Sequence, residues 1–168
     1  MNTKNIDLIA YPFLSEESSL VNHEILTDKL SSLLGYILSL NTPLEKETWW
    51  LMDKILHLNA SIRGKLAITE EDLKEGLTIY NSLKEKNASR ISGFVYPTGH
   101  TIACEYHKAR CEAKIVTRNL YLLRHQEVEV PEICIDFANL TANILFVFSL
   151  EINRLNNIEE KPFQSKSY

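Results

Sequence analysis

Ile102, Tyr106, Ala109, Ala113, Val116, Leu120 and Leu123 follow one another at steps of 4-3-4-3-4-3. Side chains alternate faces along a strand, so no strand can gather this set on one side. A helix can, as a narrow apolar seam of the kind that buries itself against other helices. The seam therefore predicts an all-α chain, and the rest of the sequence supplies partners for it as a five-helix bundle.

The first helix is expected from about Ser18 to Leu40, with Val21, Ile25, Leu26, Leu30, Leu33, Leu34, Ile37 and Leu38 at helical spacing. Thr42-Pro43-Leu44-Glu45 reads as the start of the second: a capping Thr, a proline at the first helical position and a Glu three after the cap. Trp49, Trp50, Met52, Ile55, Leu56 and Ile62 continue it, and Gly64 is its expected stop. The third begins at Thr69 with Asp72 three residues on, and Ile68 and Leu73 are placed to staple its entry. Short links among these three helices imply antiparallel neighbours.

Residues 86–100 hold Gly93, Pro97 and Gly99 and read as a long ordered loop. The seam helix follows. A fifth helix is expected from near Pro131 to about Leu155, with Ile133, Phe137, Leu140, Ile144, Val147 and Phe148 buried. The polar tail, residues 156–168, is expected to be loose.

At 168 residues the chain fits one domain, spanning 1–168, and a 45% apolar composition suffices for one core. A net charge of −4 without a basic stripe argues against nucleic acid as a partner. No run reads as apolar enough to cross a bilayer, and the first residues lack the core of a secretory signal. Three irregularly spaced cysteines suggest reduced thiols. Together these features predict a soluble, cytoplasmic protein.

Beside the seam runs a polar stripe, His107, Arg110, Lys114 and Thr117, three or four residues apart. Asn139 and Asn143 sit one turn apart on the fifth helix, and Asp28 lies among apolar residues on the first. These groups read either as a solvated flank with one or two salt bridges or as a functional seam. Cys104, His107 and Cys111 share a helical face, but no second cluster completes a tetrahedral metal site, so the cysteines read as buried structural thiols. There is no P-loop, G-x-G-x-x-G, H-E-x-x-H or nucleophile elbow.

Five segments, in order, carry a resemblance. Phe94-Val95-Tyr96-Pro97-Thr98-Gly99-His100, followed by His107-Lys108-Ala109-Arg110, resembles the F-V-x-P-G-G and H-x-A-R of the PduO-type cob(I)alamin adenosyltransferases. Asp28-Lys29-Leu30-Ser31-Ser32 with Gly35 is similar to that family's D-E-L-N-S-x-x-G. Phe137-Ala138-Asn139-Leu140-Thr141-Ala142-Asn143-Ile144-Leu145-Phe146 is similar to its Y-L-N-R-L-S-D-L-L-F, and Thr3-Lys4-Asn5-Ile6-Asp7 to its T-K-T-G-D.

The resemblance implies a five-helix, ferritin-like bundle, assembled as a homotrimer with active sites between subunits. It implies that residues 1–17 form a nucleotide-loop-like segment. It further implies that ATP, with Mg²⁺, gives its 5′-deoxyadenosyl group to the reduced cobalt of cobalamin and releases triphosphate. Phe94 then matches the corrinoid-facing wall. Asp28 and Arg110 match an interface salt bridge, and Asn139 matches a nucleotide contact. Thr3, Lys4 and Asp7 match the nucleotide loop, and Asn143 stands at a further ATP-side position.

The sequence also departs from the pattern. Where the family follows H-x-A-R with R-R-x-E-R, this chain has Lys114-Ile115-Val116-Thr117-Arg118. Lys114 keeps a charge without the two-pronged geometry of arginine. Leu140 and Asn143 replace an arginine and an aspartate, and Ile6 replaces the glycine of the nucleotide loop. On each helix an arginine and an acid have gone together, a change that is near neutral where removal of one partner is costly. The resemblance thus leaves three readings: an adenosyltransferase using Lys114, with Arg110 and Asp28 as the clamp; a corrinoid carrier or sensor; or a helical protein that only assembles.

Overall fold

The computed structural model describes residues 5–91 and 93–167. Five helices make the fold: α1 (Ser19–Ser39), α2 (Glu45–Arg63), α3 (Glu70–Lys86), α4 (Thr101–His125) and α5 (Glu132–Leu155), with 3-10 turns at Ile6–Leu8 and Ala88–Arg90.

Every residue of the 4-3 seam is buried in α4, from Ile102 at 6% exposure to Leu123 at 0%. The seam packs chiefly against α5. Tyr106 near the start of α4 meets Phe148 near the end of α5, with ring centres 5.2 Å apart. Arg124 at the far end of α4 bonds Glu132 at the start of α5 at 2.7 Å, so the two helices run antiparallel. α1 packs on both α2 and α4. Lys29–Glu112 at 2.8 Å and Asn59 to the Glu24 carbonyl at 2.9 Å stitch those contacts.

Several expectations change. The third helix does not pair mainly with the second: α3 packs on α5. Gly76 permits this, since a Cβ there would crowd Leu140 and the Trp50 indole. α2 begins at Glu45, after a turn at Pro43 and Leu44, rather than at the proline, and the Thr42 hydroxyl lies buried 2.9 Å from the Tyr106 hydroxyl. The same hydroxyl also accepts the Leu44 N–H at 3.2 Å, so Thr42 caps the turn that leads into the helix as well as reaching across to α4. The third helix starts as expected, with Thr69 and Asp72 exchanging both bonds of a capping box.

α5 is in fact long and apolar enough, by length and composition, to cross a membrane. The reason is central placement: α4, α3 and α2 all cover it, so it is apolar on several faces and mostly buried inside the bundle. The tail is docked rather than loose. Val95 pairs antiparallel with Pro162, and the Phe163 N–H donates to the Phe94 carbonyl at 2.8 Å. Of the cysteines only Cys134 is buried, where burial pushes its thiol up to about 11; Cys104 is half-buried and Cys111 exposed.

Candidate functional site

The polar groups beside the seam do not spread into solvent as unrelated charges. Lys114, Thr117, Arg118 and Tyr121 from α4 and Asn139, Ala142 and Asn143 from α5 line one open cleft of about 340 Å³. Helical spacing explains the convergence: 114, 118 and 121 recur each turn on α4, as do 139 and 143 on α5. The lining holds two cations, two carboxamides and a phenol, with no carboxylate. Such a wall suits a polyanion. Neither Arg118 nor Tyr121 is among the site residues expected from the sequence; the signals for them were the retained last arginine of R-R-x-E-R for Arg118 and the position two turns beyond Lys114 for Tyr121.

The stripe continues toward the start of α4 with Arg110 and His107. The Arg110 guanidinium stands over the Phe146 ring at 5.3 Å. Its Nε is buried without a hydrogen-bond partner among the described residues. His107 is 4% exposed, and neither ring nitrogen has a partner there either. Burial and the Arg110 charge together push His107 down to about 4, so it is neutral near pH 7. The Thr117 hydroxyl is turned away, donating to the Ala113 carbonyl at 3.0 Å.

Asp28 lies elsewhere. It is exposed on α1 and lines a cavity of about 290 Å³ with Tyr11, Leu14, Ile25, Leu56 and Asn59 among its neighbours. No bond joins it to Arg110 among the described residues. The N-terminal segment is tied beside it by Arg63, which bonds Glu24 at 2.7 Å and Glu16 at 2.8 Å and lies 4.3 Å from the Phe13 ring centre. Asp7 is exposed in the first 3-10 turn, whose Asn5 side chain accepts its N–H at 3.1 Å. Thr3 and Lys4 lie outside the described residues.

Phe94 stands in the loop before α4 and is 68% exposed. Leu140 is buried against α3 and takes no part in the cleft, while Ile115 is 45% exposed. Ile115 and buried Thr117 therefore occupy different environments, as do Leu140 and exposed Asn143. Within one chain neither couple reads as a vacated ion pair. Among the described residues no three His, Cys, Asp or Glu side chains converge as a metal site.

Residues 16–152 match the family model described as cobalamin adenosyltransferase. This chain belongs to the cobalamin adenosyltransferase family. Solved structures agree on the fold. Two variants of a PduO-type ATP:corrinoid adenosyltransferase from Lactobacillus reuteri, each complexed with cobalamin and ATP, superpose with TM-scores of 0.79 at 16% identity. The alignments cover 88% and 89% of this chain and 85% and 88% of those. A third variant of the Lactobacillus reuteri enzyme, complexed with ATP, gives a TM-score of 0.76 at 18% identity, covering 88% of each chain. A search of curated proteins found no match. The cobalamin adenosyltransferase bundle is thus retained at low identity, with the α4–α5 cleft and the Phe94 loop as its polar and apolar features.

Proposed function

We propose that this chain is an ATP:cob(I)alamin adenosyltransferase, acting in the cytoplasm as a homotrimer whose sites form between subunits. The observation that carries the reading is the α4–α5 cleft: within a cobalamin adenosyltransferase bundle, Lys114 and Arg118 face Asn139 and Asn143 with no carboxylate between them.

The reaction sets clear demands. The cobalt(I) electron pair attacks C5′ of ATP, a cobalt–carbon bond forms, the C5′–O bond breaks, and its electrons leave with triphosphate. The cobalt supplies the nucleophile, so the protein must orient the two substrates and stabilise the departing charge. Lys114 and Arg118 are the cations for that charge, with Asn139 and Asn143 to orient the nucleotide. Thr3, Lys4 and Asp7 of the N-terminal segment complete the ATP side. Phe94 supplies an apolar face to the corrin and excludes water from beneath the cobalt. The cleft offers no carboxylate for Mg²⁺, so the ion would be held by the triphosphate with at most carboxamide oxygens from the protein.

The unpaired groups support a site shared between copies. Among the described residues Arg110 has no acid partner within hydrogen-bond reach, and Asp28 lines an open cavity with no cation paired to it. Asp28 of one copy against Arg110 of the next would satisfy both. Three free thiols and a strongly reducing substrate both fit the cytoplasm.

A second reading is a corrinoid carrier. Leu140 in the core and the turned-away Thr117 hydroxyl favour it, since both remove functional groups from the phosphate side. The deciding experiment mixes protein, cob(I)alamin, ATP and Mg²⁺ without oxygen and follows the visible spectrum. Adenosylcobalamin formed in proportion to protein establishes the transferase. No product, with a cob(II)alamin spectrum altered by the protein, establishes the carrier. An unchanged spectrum in every mixture leaves only an assembly role.

A further inference from the structure

Phe94 contributes little to its own core, yet the backbone beneath it is tied down at several points. The segment 93–100 has no helix or sheet of its own, apart from the single Val95–Pro162 bridge. The Tyr96 N–H donates to the Lys161 carbonyl at 2.9 Å, beside the Phe163-to-Phe94 bond. The Tyr96 and Phe163 rings meet edge-on with centres 5.4 Å apart.

At the end of α5, Asn153 is wholly buried. Its Oδ1 accepts the His100 N–H at 2.9 Å. Its Nδ2 donates to the Thr98 carbonyl at 3.1 Å and to the Glu160 carboxylate at 3.2 Å. Glu160, its own side chain 5% exposed, lies 3.6 Å from Arg90, which also donates to the Ile158 carbonyl at 2.6 Å. Gly99, at φ +130°, has room only because it lacks a Cβ, which would overlap the Asn153 amide. One buried carboxamide therefore joins the loop, the tail and the end of a core helix.

A buried polar group with its bonding capacity filled on separate segments fixes their relative positions. The pairing of a fixed base with an exposed aromatic tip is what a preorganised binding wall requires. We infer that Asn153, with Glu160 and Arg90, is a positioning residue for the corrinoid: it latches the Phe94 loop to the C-terminal tail and holds the phenylalanine in its binding-competent place. The inference rests on the corrinoid reading above.

The test uses the full chain, with cob(II)alamin and ATP as separate titrants and hydrogen exchange at the Tyr96 and His100 amides. Glu160→Ala is the principal variant, Glu160→Gln the conservative rescue, and Asn153→Ala the stronger lesion where it folds. If unlatching leaves about a tenth of molecules competent, cob(II)alamin affinity falls about tenfold in Glu160→Ala, while ATP affinity and the Glu160→Gln variant stay within about twofold of the parent. Exchange at both amides rises with it. Faster exchange with unchanged cob(II)alamin affinity overturns the latch, as does unchanged exchange, or a joint fall in affinity for both titrants. A parent protein that binds no cob(II)alamin instead overturns the corrinoid reading itself, whatever the exchange pattern.

Discussion

The two ends of the candidate site are built on opposite principles. At the end proposed for the corrinoid, an exposed phenylalanine rises from a loop held by a buried carboxamide, two carboxylate contacts and a docked tail. At the end proposed for the phosphates the cleft walls are helices, and the polar groups on them are exposed Lys114, Arg118, Asn139 and Asn143. Next to them His107 and Arg110 Nε are buried and unbonded within the described chain. Buried polar groups left unpaired are costly, by about 1–3 kcal/mol each. The difference teaches that the end we assign to the corrinoid has its polar groups bonded within one chain, whereas the end we assign to phosphate leaves polar groups that, on the proposed reading, nucleotide and a second copy would satisfy.

The sharpest way to break this comparison is Lys114→Ala. Removal of one preorganised charge from a transferring group costs about 10²–10³ in rate, so the transfer rate should fall by that factor. Cob(II)alamin affinity should hardly change. Equal loss of both would mean that the ends are not separable. Phe94→Ala is the complementary lesion. Loss of one aromatic face should weaken cob(II)alamin roughly tenfold. Thermal stability should move by no more than about 0.5 kcal/mol, because the side chain is mostly exposed. A large drop in melting temperature would show that Phe94 serves the fold instead.

A smaller effect tests the buried imidazole by pH. His107 is held down to about 4, against an ordinary 6.5, by burial and by Arg110. Between those values the unfolded chain takes up a proton that the folded chain refuses. Stability is therefore full above about pH 6.5 and lost as pH falls toward 4, by up to about 3 kcal/mol for this one group. Melting curves at pH 7 and pH 4.5 should show the loss, and His107→Gln should reduce it. Some slope should survive in that variant, since His23 is also pushed down by burial. An unaltered slope would remove His107 from the account.

What the sequence made legible was whatever depends on near neighbours. The α4 seam, the Thr69–Asp72 cap and the extents of α1 and α5 follow from periodicity and from groups three or four residues apart. What escaped depends on distant ones. Thr42 accepts the Leu44 N–H as a cap would, but its second bond, to the Tyr106 hydroxyl far along the chain, has no local signal. The tail looked loose because Asn153, Arg90 and the Phe94 backbone, which hold it, give no local signal. α5 was read as an ordinary amphipathic helix, whereas its neighbours on several sides make it apolar enough to pass for a membrane span. In the site, the grouping of Lys114, Asn139 and Asn143 could be anticipated from helical faces and resemblance. Arg118 keeps the last arginine of the R-R-x-E-R pattern, but its place in the cleft follows only from the packing of α4 on α5, and Asp28 stands apart from Arg110 within one chain, which the proposed second copy would reconcile.

That last point is the centre of the account, and mixed assembly tests it most directly. Asp28→Ala and Lys114→Ala are each expected to be inactive alone. If sites form between copies, co-expression of the two places native Asp28 from one chain opposite native Lys114 from another. About a quarter of the sites in randomly mixed trimers should then be whole. The account predicts adenosylcobalamin formation at about a quarter of the parent rate from the mixture. A mixture as inactive as its two components would contradict it, and would mean that each chain carries its site alone or carries none.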